Sequence, residues 1–131
     1  MSTISANYHM RDWKETTIFE QASGAKLTQV IAAFEYEGQL QGPTKLGLLL
    51  QYNPDQTGIY TGWELFEGAF SGQPAAITFR IQGTFDPKGV EAQANSVAGS
   101  GSGSLADHQL AYSVEFKGHG PYPIQIEITE Q

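Results

Sequence analysis

The chain has 131 residues with 14 acidic against 7 basic side chains, a formal charge of −7. Its size fits one domain spanning residues 1–131 with a core large enough to need no staples, and the lack of cysteine excludes disulfides and thiolate chemistry. The acidic surface, with no basic cluster, argues against a nucleic-acid partner.

The opening MSTISANYHMRDW lacks a basic start followed by an apolar run, so no signal peptide is expected. No apolar run approaches the roughly 20 residues of a membrane helix. The expected compartment is therefore the cytoplasm, with no membrane partner.

Thr3 to Trp13 reads as a first strand, with Ile4, Ala6, Tyr8 and Met10 on one face. Lys14-Glu15 breaks the alternation and Thr16 to Gln21 resumes it. After the turn Ala22 to Ala25, residues Lys26 to Glu37 alternate again. Thr28, Val30, Ala32, Phe34 and Tyr36 share one face. Alanine and glutamate there also suit a helix, but the β-branched and aromatic residues in period two favour a strand.

A third strand carries Leu40, Gly42, Thr44, Leu46, Leu48, Leu50 and Tyr52 on one face, with Pro43 marking an edge or a bulge. Asn53 to Gly58 is a loop. Gly58 to Phe85 is a long hairpin. Tyr60, Gly62, Glu64, Phe66, Gly68 and Phe70 line one face of its first arm, and Ile77, Phe79, Ile81 and Phe85 one face of its second. Ser71-Gly72-Gln73-Pro74 is the turn between them.

Asp86 to Gly89 turns the chain into a strand of small and polar residues, Val90 to Val97. Ala98 to Ser104, AGSGSGS, is either a flexible loop or a narrow strand close to another backbone. Leu110, Tyr112, Val114 and Phe116 alternate, as do Tyr122, Ile124, Ile126 and Ile128 after the turn Lys117 to Pro121. About eight strands without a helix between them exclude a parallel βαβ topology. Arms this long would leave long open edges in a flat sheet, which closure into an antiparallel barrel removes.

The hairpin GWELFEGAFSGQPAAITFRIQGTFD, the run GSGSGSL and the ending GHGPYPIQIEI, in that order, resemble the bacterial domain-of-unknown-function 3224 family. That family is similar in fold to allene oxide cyclase, an eight-stranded barrel related in shape to lipocalins. The resemblance implies a closed, self-associating barrel, with a homodimer as the expected state. It implies no assigned reaction and carries over no site residue.

Glu64 is the one acid placed among apolar residues on a strand face. If that face lines the barrel, desolvation raises its pKa and makes it a candidate catalytic proton shuttle or ligand anchor. The competing reading turns it outward or pairs it with Arg80. His119 and Tyr122, in GHGPYP beside the last strand, sit where a barrel mouth would meet a ligand. Tyr36, Tyr52 and Trp63 combine rings with polar tips suited to stacking. Tyr52, Trp63, Phe66, His119 and Tyr122 are thus the expected ligand-binding side chains. Each also has a plain structural reading in core, turn or interface.

His9 and His108 are isolated and no histidine pair has ligand spacing, so neither a metal site nor a cofactor is expected. The GSGSGS run lacks the lysine and helix of a phosphate cradle. Three functions are open: a binding barrel for a small apolar or aromatic molecule; an isomerase or cyclase, implied by the resemblance in fold, with Glu64 as the candidate carboxylate; or a homodimeric interaction module using patches such as Trp63-Leu65 and Ile77-Phe79-Ile81.

Overall fold

A computed structural model describes residues 2–118 and 120–130. The strands are β1 (Ser2–Glu20), β2 (Lys26–Gly38), β3 (Leu40–Tyr52), β4 (Gly58–Phe70), β5 (Gln73–Asp86), β6 (Gly89–Ser96), β7 (Ser102–Gly103), β8 (His108–Phe116) and β9 (Tyr122–Glu130). Eight of them run in the order β4-β3-β2-β1-β9-β8-β6-β5, and pairing of β4 with β5 closes the ring. All of these pairings are antiparallel. This is the closed eight-stranded barrel expected, with β7 as an extra two-residue strand on β5. No helix occurs among the described residues, hence none that is long and apolar enough to cross a membrane.

The alternation places one face of each strand inside. On β2, Thr28, Val30, Ala32, Phe34 and Tyr36 are buried while Gln29, Ile31 and Glu37 are exposed. A strand flanked by β1 and β3 satisfies its backbone on both sides, so period two prevails over helix propensity. The β4–β5 hairpin closes through a two-residue turn, Ser71-Gly72, both with positive φ. That is the turn geometry whose twist matches paired strands.

Two sequence expectations change, and one open alternative is decided. The first strand does not break at Lys14-Glu15: β1 runs through to Glu20, with register shifts between Met10 and Asp12 and between Thr17 and Phe19. Its pairing with β9 ends at Tyr8, so the later half lies against β2 alone. Exposed on both faces, that half has no reason to alternate. Pro43 lies neither at an edge nor at a bulge. It pairs opposite Glu35 of β2, while the ladder to β4 skips Gly42 and Pro43, where proline has no N–H to give. In the glycine-serine run, Ser102-Gly103 is the narrow strand. A Cβ on Gly103 would collide with the Pro74 carbonyl.

One rim carries the turns at 21–25, 53–57 and 87–88 and the segment joining β8 to β9. The opposite end is plugged by the segment between β6 and β8, whose Leu105 is fully buried. Ser100 pins that segment, accepting from the Thr78 amide at 3.1 Å and donating to the Thr78 carbonyl at 3.2 Å.

Candidate functional site: an apolar cavity above a buried carboxylate

The barrel interior divides into two zones. Towards the plugged end, Tyr36, Leu40, Phe66, Ile77, Phe79 and Leu105 fill the space with almost no exposure. Towards the open rim lies a cavity of about 450 Å³. Leu46, Leu48, Leu50, Ile81 and Ala92 form its walls, and Trp13, Tyr52, Phe85, Phe116 and Tyr122 ring it with aromatic groups. Tyr8 and Tyr112 also border it.

Behind those two tyrosines sits Glu64, at 0 % exposure the only acidic side chain in the core of the described residues. It points inward because it shares the face of Tyr60, Gly62 and Phe66 on β4. Four hydroxyls from four other strands converge on it. Tyr36 donates to Oε2 at 2.7 Å, Thr44 at 2.9 Å and Tyr8 at 3.3 Å, and Tyr112 donates to Oε1 at 2.7 Å. β4 is thereby tied to β2, β3, β1 and β8 through one carboxyl group.

Burial pushes the Glu64 carboxyl above its ordinary value, against the hydrogen bonds of Tyr36, Tyr112, Thr44 and Tyr8, which favour the ionised form. The phenols of Tyr8, Tyr36 and Tyr112 are raised well above the usual range, first by burial and then by the Glu64 charge. Ring packing fixes the cluster. Tyr8 stacks on Phe34 at 4.4 Å between centroids, and Tyr36 meets Phe66 edge-on at 5.5 Å. Phe79 is edge-on to Tyr112 at 5.4 Å.

A second carboxylate stands at the rim. Glu15 accepts from Tyr52 at 2.5 Å, from Thr28 at 2.7 Å and from the Trp13 indole at 3.2 Å. Partial burial opposes its ionisation, but these bonds outweigh it and hold the carboxyl below its ordinary value. The Tyr52 phenol is pushed up to about 12 by burial, by its bond to Glu15 and by that charge. Lys26 lies 4.7 Å over the Tyr52 ring. Tyr52→Phe is expected to raise the Glu15 pKa by removing its shortest donor. Carboxyl-carbon NMR titration checks this, and an unmoved Glu15 midpoint would overturn it. The site is largely solvated, so the stability cost should stay under about 1 kcal/mol.

The residues expected from sequence fall in different places. Tyr52 and Tyr122 border the cavity. Glu64 and Phe66 lie inside the barrel but outside the cavity lining, in the packed zone. Trp63 stands on the outer surface, 49 % exposed, with Arg80 4.8 Å over its ring. It cannot stack on a ligand in this cavity. His119 lies outside the described residues. The alternative pairing of Glu64 with Arg80 does not form: Glu64 faces Phe79 across the hairpin, and Arg80 bonds Thr61 on the outside. The sequence does not mark Tyr8, Thr44 and Tyr112 as partners of Glu64. Each sits on an inward face in its own strand, a signal that becomes specific only with the cross-strand register. Among the described residues no group of three or more His, Cys, Asp or Glu side chains could hold a metal ion.

The family described as "Protein of unknown function (DUF3224)" matches residues 4–128. The chain is similar to a solved protein of unknown function from the DUF3224 family of Shewanella oneidensis MR-1. The identity is 16%, the alignment covers 100% of this chain and 98% of that one, and the TM-score is 0.79. At that identity the likeness speaks to the fold alone. No curated protein matches the chain. The match over nearly the whole barrel, from the first strand to the last, makes the chain a member of the DUF3224 family of proteins of unknown function.

Proposed function

We propose that the barrel is a non-catalytic binding protein that holds one small apolar or aromatic molecule in the cavity at its open rim. The observation that carries this reading is the cavity itself. Its 450 Å³ falls within the roughly 300–1,000 Å³ of small-molecule pockets, and aliphatic and aromatic side chains dominate its wall. Eight-stranded barrels either fill with side chains or hold one small ligand, and here only the plugged half is filled. In this reading the barrel is lipocalin-like and allene-oxide-cyclase-like in shape, with its ligand held inside one end.

Native mass spectrometry of protein purified gently from its own source tests it. A bound mass that leaves on denaturation is expected. Ala92→Phe, which projects a ring into the cavity, should lose that mass or weaken rebinding at least tenfold while its circular dichroism stays that of a β protein. A purely apo mass together with no uptake of apolar probes would overturn the reading. Isomerase chemistry resting on Glu64 is less well supported, because a cavity ligand would meet Tyr8 and Tyr112 before the carboxyl.

A separate observation favours self-association as a second property. Ile31, Leu49, Ile59, Trp63 and Leu65 are all exposed. Ile31, Gly47 and Trp63 follow one another across β2, β3 and β4. An apolar outer face of this kind suits a second copy of the chain. Sedimentation at micromolar concentration should give a dimer that Trp63→Glu dissociates. A monomeric wild type would remove this reading.

A further inference from the structure

Six described side chains bordering the cavity carry an O–H or ring N–H: Tyr8, Trp13, Tyr52, Tyr60, Tyr112 and Tyr122. Each already gives its hydrogen to the protein. Tyr8 and Tyr112 donate to Glu64 at 3.3 and 2.7 Å. Tyr52 and Trp13 donate to Glu15 at 2.5 and 3.2 Å. Tyr60 donates to the Glu91 carbonyl at 3.0 Å and Tyr122 to the Gly118 carbonyl at 2.7 Å. Backbone N–H groups of the walls lie in the plane of the sheet and serve its ladders.

What these groups leave facing the cavity is acceptor capacity. A phenol that has donated its hydrogen still has lone pairs on oxygen, and a carboxylate behind it makes that oxygen a better acceptor. The ionisable acid on the lining is Asp86, and no lysine or arginine is among the described lining residues. An anion placed here would lose its hydration and find neither a free donor nor a cation among the described lining residues.

Resting on the cavity-binding reading above, we infer that the site selects apolar molecules whose polar group is a hydrogen-bond donor, such as an alcohol, phenol or amine, and rejects carboxylates and phosphates of the same apolar size. The donor census carries this inference. Five phenols around one apolar space suggest a site for acidic or neutral ligands alike until the destination of each hydrogen is traced.

Three probes of one chain length separate the possibilities: 1-decanol, decylamine and decanoate, each below its aggregation concentration, titrated calorimetrically into the full-length protein at pH 7 and 0.15 M salt. Decanol and decylamine should bind at least tenfold more tightly than decanoate. Ala92→Phe should weaken decanol at least tenfold, which locates the binding. Val90→Lys, which adds a cation at a half-buried lining position, should strengthen decanoate at least tenfold. Decanoate binding as tightly as decanol would overturn the donor rule while leaving the cavity reading intact. Preference for the amine alone, with decanol no better than decanoate, would also overturn it, since general attraction to an acidic protein would then suffice. Failure of all three probes to bind would overturn the cavity reading, and this inference with it.

Discussion

Glu64→Leu should lower the unfolding free energy by about 3–5 kcal/mol in urea denaturation. Leucine fits the apolar surroundings and removes a desolvated acid, which by itself would help. The four hydroxyls now aimed at the carboxyl would lose their acceptor in the barrel interior, at about 1–3 kcal/mol for each left unsatisfied. Tyr36 and Thr44 cannot turn to solvent, since both are buried away from the cavity lining. A loss under about 1 kcal/mol would mean that the cluster is not the cross-strand tie its geometry indicates. Glu64→Gln keeps an acceptor oxygen and should cost less, about 1–2 kcal/mol.

The same pair of proteins gives a pH signature of fixed sign. Burial raises the folded-state pKa of Glu64 above its ordinary value of 4.5, against the opposing bonds of Tyr36, Tyr112, Thr44 and Tyr8. The folded protein therefore holds this proton more tightly than the unfolded chain. The stability this contributes is complete below the unfolded value and is lost as pH rises through the folded one. Glutamine does not titrate, so the advantage of wild type over Glu64→Gln should shrink as pH rises above about 4.5. A flat difference would show that the hydroxyls balance burial, and one that grows with pH that they outweigh it.

Gly62→Ala should cost about 3 kcal/mol or more, read as a lower urea midpoint or as failure to fold. A methyl group at Gly62 would overlap the Gly47 carbonyl and come within 2.8 Å of the Leu48 Cα on the neighbouring strand. The obstacle is backbone, which can yield only by opening the pairing of Leu48 with Gly62. Glu64 lies two residues along the same inward face, so movement there would also disturb its hydroxyl cluster. Gly47 on β3 supplies the control, because a Cβ there meets nothing within 4 Å. Gly47→Ala should be neutral or stabilising by about 0.5 kcal/mol through the unfolded chain. Equal losses at the two glycines would refute the crowding account.

Much of the architecture is legible in the chain because it depends on local rules. Alternation in Lys26 to Glu37 and in the two arms of the hairpin identifies strands. Ser71-Gly72 marks the reversal between those arms, and strands this long require closure. The rim half of β1 is not legible in this way, since a strand paired on one side and exposed on both faces carries no periodic signature. Trp63 and Phe66 differ by three positions, an odd number, so one must point out where the other points in. Alternation alone puts them on opposite faces but does not say which face is inner.

By itself, the sequence determined an all-β chain of about eight strands, an acid on one strand face among apolar neighbours, and membership of a family through motifs that keep their order. The strands and the place of the acid come from period two and turn chemistry, which act over a few residues, and the family from the likeness of whole motifs. Only the tertiary structure decided that Glu64 lies beneath the cavity rather than in it, that Tyr8, Tyr36, Thr44 and Tyr112 spend their hydrogens on it, and that the open half of the barrel stays unfilled. These depend on which residues of different strands meet at one level, a register set by closure of the whole ring.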